Sequence, residues 1–464
     1  MKITRLPHFL DKYLTEYDDN LSSDSYIDPI GTLIIWSAFG RQVFKNRINS
    51  ISNDVRNYTL NLFHHFLIRK LINDDNVRLS PALQKQYSSK QSLNFKHACL
   101  IFLENIFVYS ILQHEKTAEV ETTGILGISN ARARWNSDSG KPKILFTHEP
   151  VGQILVRQLS LGVSGRYKTP LMDMGFFDKT YQYHNPVSQP QWNDAAILIT
   201  GLPKSGIGKL ERIAYDFLVE RISGSEARSQ LQFGENCEAL SKAYARAFSS
   251  PTVVGSYSRD FWLCQTGLNQ NAAGALFAIL ETSEKNAPVQ QVMETALLSD
   301  IDPAEKAKLQ HIVALEPFLS DVALLFNLMA AERTHAVTSV VAEWQRFGRN
   351  DARLPELARQ TSQHAHLPAV KGTEAGRRLI ELHKVATAGS LKNQVYALEL
   401  YHRNVMSSRG QPSWLSIEGN GTIKTHARTQ ARPSPQNWLP GVWNNQYYLP
   451  EFSNFVKGLR GVEV

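Results

Sequence analysis

Cysteine is scarce in this chain of 464 residues, which holds only three, Cys99, Cys237 and Cys264. They are far apart and odd in number, which excludes a disulfide framework and a four-cysteine zinc site. A reducing, cytoplasmic setting is expected. Long apolar runs are missing too. None approaches the roughly 18 residues that a membrane span needs, and the run at 33–39 is interrupted by Ser37. Residues 1–10 lead into an acidic stretch, 11–28, without a signal peptide's long apolar region, so no signal peptide is expected. No membrane partner is expected.

Complete catalytic signatures are also wanting. Nothing matches a Ser-His-Asp or Cys-His arrangement at a signature turn, and no Asp…Glu-x-Lys nuclease core is evident. The run Gly201-Leu-Pro-Lys-Ser-Gly-Ile-Gly-Lys-Leu210 invites comparison with a P-loop. A phosphate cradle needs G-x-x-x-x-G-K-[ST]. Here Pro203 stands where the first glycine belongs, and Leu210 replaces the hydroxyl that holds magnesium. This segment is expected to be two helices joined by a Pro/Gly turn. Neither an enzyme nor a cofactor is expected.

What the chain does have is an ordinary globular composition, 42% hydrophobic and 20% charged, with a net charge of +7. A basic excess favours polyanionic partners without dictating a fold. Its distribution is uneven. Residues 29–72 carry six Lys/Arg against Asp54 alone, and residues 122–185 carry eight against four acids.

The apolar spacing predicts helices over 30–72 and 92–114, with the polar, Pro-interrupted stretch 73–92 as a loop. From 192 to 408 the i, i+3, i+4 pattern is nearly continuous, with start signals such as Ser299-Asp-Ile-Asp-Pro303. After Arg409, helical periodicity stops. Residues 414–425 read as a hairpin turning at Asn420-Gly421. Residues 442–459, with Trp443, Tyr447, Tyr448, Phe452 and Phe455, read as an aromatic cap, helical from Pro450 onward with Trp443 buried beside it. The expected fold is mainly α: a helical multi-domain protein with a small winged-helix-like α+β segment and a C-terminal β/aromatic cap. Its domains are 1–117, 118–186, 192–408 and 409–464, with a Pro/Gln-rich linker at 185–191.

The segment 118–186 is the most informative. Leu-Gly-Ile-Ser at 126–129 recurs as Leu-Gly-Val-Ser at 161–164. Each glycine suits a tight turn between helices, and each serine is placed to cap the next one. Residues 144–147 are β-prone, and 181–184 suit a wing strand. This order resembles a winged helix-turn-helix. The resemblance implies contact with nucleic acid, duplex DNA first, through Arg132, Arg134, Arg157, Arg166, Tyr167 and Lys168. The overall texture, helical and basic, is similar to uncharacterised proteins of bacterial antiviral-defence islands. That resemblance implies a non-catalytic nucleic-acid-binding subunit of a multi-protein system, with protein partners.

Two further patterns bear on chemistry. Glu-x-x-His occurs at Glu332–His335 and Glu399–His402. In ferritin-like bundles two such pairs and two further glutamates hold a di-metal centre. Glu281 and Glu316 sit at no diagnostic spacing for that role, and no metal is expected. Arg378-Leu-Ile-Glu-Leu-His383 resembles the Arg-x4-His motif of HEPN ribonucleases, and Arg56…His64 is a looser version. That resemblance implies Arg378 and His383 as an alternative catalytic pair on one exposed helix face. A third class is a structural adaptor whose partner covers the C-terminal aromatics.

Overall fold

A computed structural model describes residues 28–116, 120–184, 186–201, 206–223, 230–234, 237–283, 287–363, 370–427 and 433–461. Helices hold 64% of the residues and strands 4%, so the fold is mainly α with small α+β segments. The chain packs as two compact units, one built from 1–43 and 287–447, the other from 44–286 and 448–464. The second unit thus unites segment 118–186 with the helices on either side of it. It also takes the last part of the C-terminal segment, whereas Trp443 and Tyr447 belong to the first unit.

The second unit is organised on two buried helices. After α1 (Thr32–Phe44), whose last residue opens this unit, come α2 (Val55–Asn73), α3 (Pro81–Tyr87) and α4 (Leu93–Gln113). The break between α1 and α2 carries Lys45 and Asn46 at positive φ, so residues 30–72 are two helices rather than one. In the stretch expected to be a loop, Ser80 caps α3 by accepting from the Leu83 amide, and Pro81 takes the first helical position. Proline is harmless there because that N–H has no intrahelical partner.

Helix α4 is apolar and buried along nearly its whole length. Helix α2 is polar by composition yet just as buried, with Arg56, Asn57, Thr59, Asn61, His64 and His65 all inside. Buried polar groups must find partners. The Arg56 guanidinium donates to the carbonyls of Glu121 and Thr123, and Asp54 lies 3.8 Å away. His64 shares a hydrogen bond with the Tyr244 hydroxyl at 3.1 Å, and burial pushes its pKa down to about 3.

Around them pack α5 (Ile128–Ser137), strand β1 (Lys143–Leu145) and the short helices α6 (Gln158–Leu161), α7 (Val163–Arg166) and α8 (Lys168–Asp173). Next follow α9 (Gln189–Thr200), α10 (Gly206–Ser223), β2 (Gln230–Gln232), α11 (Glu238–Ala247), α12 (Pro251–Thr266) and α13 (Asn271–Thr282). The C-terminal helix Leu449–Leu459 joins this unit, starting one residue before the expected Pro450 and burying Phe452 and Phe455. Residues 194–200 are helical, within α9, rather than the strand that precedes a P-loop, and 206–210 open α10. Residues 202–205 lie outside the described residues.

The first unit is a set of helices with one small sheet. Asp302 caps the 27-residue helix Pro303–Met329 by accepting from the amides of Ala304 and Glu305. The hairpin forms where expected: β4 (Leu415–Ile417) pairs antiparallel with β5 (Thr422–Thr425), and Gly421 has φ of 81°. A third strand, β3 (Thr334–Ala336), adds to β5 with His335 opposite Ile423. The Glu332–His335 pair therefore lies on a turn and a strand, not on the helix its spacing suggested. Trp443 is half-buried and meets Tyr447 edge-on at 6.0 Å.

Two helices, Leu93–Gln113 and Pro303–Met329, are long and apolar enough to cross a membrane, although no continuous apolar run spans either. Both are mostly buried within the protein, 94% and 72% over their most apolar windows, as core helices are.

Candidate nucleic-acid interface

The repeated Leu-Gly-x-Ser turns are real turns, but they are not capped as the sequence suggests. Gly127 and Gly162 are themselves the N-cap residues of α5 and α7, and Ser129 and Ser164 lie inside the helices. Gly127 has φ of 82°, a left-handed conformation that glycine adopts without penalty. At Gly162 the reason is space. A Cβ would stand 2.3 Å from the Glu104 carboxylate. That carboxylate reaches out of α4 and accepts from the Val163 amide at 2.8 Å and from the Ser164 hydroxyl at 3.4 Å. Burial raises the Glu104 pKa to about 7 despite those donors.

Helices α6, α7 and α8 have four, four and six residues, and Tyr167 separates the last two. Pro170, the third residue of α8, has no amide to donate, and no recognition helix of useful length forms here. The wing differs as well. Strand β1 pairs antiparallel with β2, Ile144 opposite Leu231, and not with 181–184, which form no strand. Tyr181 and Tyr183 are instead buried around His65, whose Nδ1 lies 2.7 Å from the Tyr183 hydroxyl. Tyr181 and Tyr183 turn inward while Gln182 and His184 stay exposed, so the segment is an irregular ribbon and not a wing strand.

The expected contact residues separate into groups. Arg132 and Arg134 are on α5, where Arg132 pairs with Glu115, just beyond α4. Arg134 donates to the Gln153 carbonyl at 2.8 Å. Arg157 is exposed at the head of α6 with φ of 56°, a strained conformation for a residue other than glycine. Arg166 and Lys168 belong to a different place. The Lys168 ammonium donates to the Lys179 carbonyl at 2.7 Å and lies 4.1 Å over the Tyr181 ring. Lys96, near the start of α4, donates to the Tyr181 carbonyl beside it.

Glu115 lies just beyond the C-terminal end of α4 and Lys96 near its N-terminal end, so Arg132 and Lys168 lie towards opposite ends of that helix. The five cations do not form one compact patch. Tyr167 is buried, not a base-stacking residue. Its hydroxyl accepts from the amides of Asn53 and Asp54, and its ring meets Tyr58 edge-on at 4.8 Å.

The α5 group is the better organised one. Asn130 donates to the Ile154 carbonyl at 3.1 Å, which with the Arg134 bond fixes α5 against 153–155. The turn beneath Arg157 is braced from the core. Gln158 accepts from the Ile154 amide and donates to Asn105, and Asn105 in turn donates to the Gly152 carbonyl at 2.7 Å. Lys141 and Lys143, leading into β1, are exposed. Among the described residues, no carboxylate pairs with Arg134, Lys141, Lys143 or Arg157. The bracing network came from Glu104, Asn105 and Gln158, which sequence reasoning missed. Polar residues inside the apolar run of α4 were the available signal.

The alternative pair is not assembled. Arg378 is buried in helix Glu374–Ala386, donating to Glu374 at 2.7 Å, and a Cβ on Gly31 would strike its guanidinium. His383 is occupied by Thr361 at 3.0 Å and Ser362 at 3.5 Å, and burial lowers its pKa to about 4. Five residues apart, the two side chains diverge by about 140° around the helix. Arg56 and His64 are both buried in the core. His402 is spent structurally, one ring nitrogen against the Pro29 carbonyl and the other accepting from the Trp414 amide. Glu281 pairs with Arg259, and Glu316 is engaged with Ser320 and with 444–447. Among the described residues no three His, Cys, Asp or Glu side chains are grouped to hold a metal ion.

Compared with known protein families, curated proteins and solved structures, the chain matches none of them.

Proposed function

We propose that this protein works by binding nucleic acid without turning it over, duplex DNA being the first partner to test. Phosphates would meet Arg132, Arg134, Lys141, Lys143 and Arg157 along the edge formed by α5, the approach to β1 and the 153–157 turn. The observation that carries this reading is the Arg134–Gln153 bond, which ties the two cation-bearing segments together. With Gln158 and Asn105 bracing the turn, the backbone that carries Arg157 is held in place before any partner arrives, which lowers the ordering cost of binding. Phosphate contacts of this kind give affinity and register, not sequence information. Membership of a bacterial antiviral complex belongs to the same proposal and rests on resemblance in texture alone.

The test is salt-dependent binding to a fluorescent duplex, with single-stranded DNA and RNA as competitors. Arg134→Ala with Arg157→Ala should weaken binding and reduce the slope of log K against log salt by about two, since each phosphate contact contributes about 0.9. Unchanged affinity and slope in a variant with native melting temperature would refute the assignment.

A further inference from the structure

The cations at the far end of α4 have an unusual setting. Lys96 is only 1% exposed, yet among the described residues its ammonium is within hydrogen-bond reach of one acceptor, the Tyr181 carbonyl at 2.9 Å, with the Tyr183 ring 5.4 Å away. The half-buried Lys168 ammonium sits on the Lys179 carbonyl and the Tyr181 ring of the same ribbon. His97, one residue along from Lys96, meets Tyr181 edge-on at 5.8 Å. The Nε2 of His65, buried against the same tyrosines, has no hydrogen-bond partner among the described residues.

These groups repel one another. Burial first, then Lys168, His148 and Lys96, together lower the His97 pKa to about 4. His65 is lowered by burial first and then by His64, Lys168, His97 and Lys96. Other charged or titratable groups nearby include Glu104, which acts on Tyr181, His184, Arg69, His148 with its partner Glu149, and Asp178. Asp178 is the acid that attracts both lysines. Its Oδ1, however, is committed to the Thr180 amide and hydroxyl and the Gln182 amide, and no ion pair links it to either lysine among the described residues. Buried ammonium groups ordinarily have a counter-charge. Each of these has three N–H donors and uses one on the ribbon.

We propose that Lys96, His97 and Lys168, arranged on the 178–183 ribbon, bind a phosphate group, carried either by a nucleic-acid backbone or by a small phosphate ester. Lys168 and His97, the more accessible pair, make the direct contacts. Lys96 supplies positive field from behind. The inference does not rest on the α5 edge, which lies at the other end of α4.

Isothermal titration of the full-length protein with inorganic phosphate and with a nucleoside monophosphate tests this, with chloride at matched ionic strength as control. Saturable binding is expected, weakened at least tenfold by Lys168→Gln and measurably by His97→Gln. Lys168 is half-exposed, so its variant should keep the native melting temperature. If the nucleoside monophosphate competes with a duplex and Lys168→Gln weakens both, the site takes a backbone phosphate. If Lys168→Gln loses the monophosphate and keeps the duplex, the site takes a free ester. No saturable binding of either anion, or undiminished binding in both variants, overturns the proposal. Loss of duplex binding in the Arg134/Arg157 variant alone bears on the α5 edge and not on this site.

Discussion

The Glu104 carboxylate accepts from the Val163 amide at 2.8 Å, so one buried acid of α4 starts the short helix α7. A glutamate at a helix N-terminus is favourable when ionised, because the free amides carry partial positive charge. Here burial outweighs that gain and the pKa rises to about 7. The group is therefore protonated in the folded protein at pH values where it ionises in the unfolded chain.

That difference fixes a sign. A carboxyl with a raised folded-state pKa contributes stability that is fully present below its ordinary value of 4.5 and is lost as pH rises through about 7. Glu104→Gln keeps an acceptor for Val163 and cannot ionise. Relative to the native protein, this variant should gain stability between pH 4.5 and 7, by on the order of 3 kcal/mol at most. Urea unfolding at several pH values would measure it. Parallel pH profiles for the two proteins would show that Glu104 ionises normally.

Glu316 has a comparable position in the first unit. Its carboxylate accepts from the amides of Asn444 and Asn445, the Asn445 side chain, the Ser320 hydroxyl and the Tyr447 hydroxyl, the last at 2.6 Å. Glu316→Ala removes the acceptor and leaves these donors without a protein partner, the Tyr447 and Ser320 hydroxyls among them buried. Each unsatisfied donor costs about 1–3 kcal/mol, partly relieved where water enters. The amides of Asn444 and Asn445 should lose their hydrogen-exchange protection, with a global loss of about 3–5 kcal/mol. Retained protection at both amides would mean that 444–447 is held by Tyr447 packing instead.

Much of the fold was legible because local chemistry decided it. The Asn420-Gly421 turn needs a left-handed residue, and Gly421 supplies it at φ of 81°. Asp302 before Pro303 announces a helix and caps one. What was not legible depends on contacts distant in sequence. Strands of three residues, such as 143–145 and 230–232, carry too little alternation to show that they pair. The serines of the two Leu-Gly-x-Ser turns read as caps until the Glu104 carboxylate, some 60 residues earlier in the chain, is seen to do that work at the second turn. Cation counts identified segment 122–185, but only α4 shows that Arg132 and Lys168 lie at its two ends.

The docking of the C-terminal helix gives the last prediction. A Cβ placed on Gly255, within α12, would stand 1.9 Å from the Gly458 carbonyl oxygen, and one on Gly458 would stand 2.7 Å from a methyl of Val55. Two glycines thus let the backbones of α12 and helix Leu449–Leu459 approach closely, while Phe452 and Phe455 fill the space alongside against Phe44 and Tyr58. Neither glycine is at positive φ, so alanine is conformationally acceptable at both and would ordinarily favour a helix by about 1 kcal/mol. The contact reverses that sign at Gly255, because a carbonyl of a packed helix cannot move aside as a flexible side chain can. Gly255→Ala should cost about 1–3 kcal/mol or more. Ser256→Ala, at the exposed neighbouring position, should change stability by less than about 0.5 kcal/mol. Thermal and urea unfolding of the two variants decides the matter. Equal stability in both would mean that the C-terminal helix is not seated against α12 in solution.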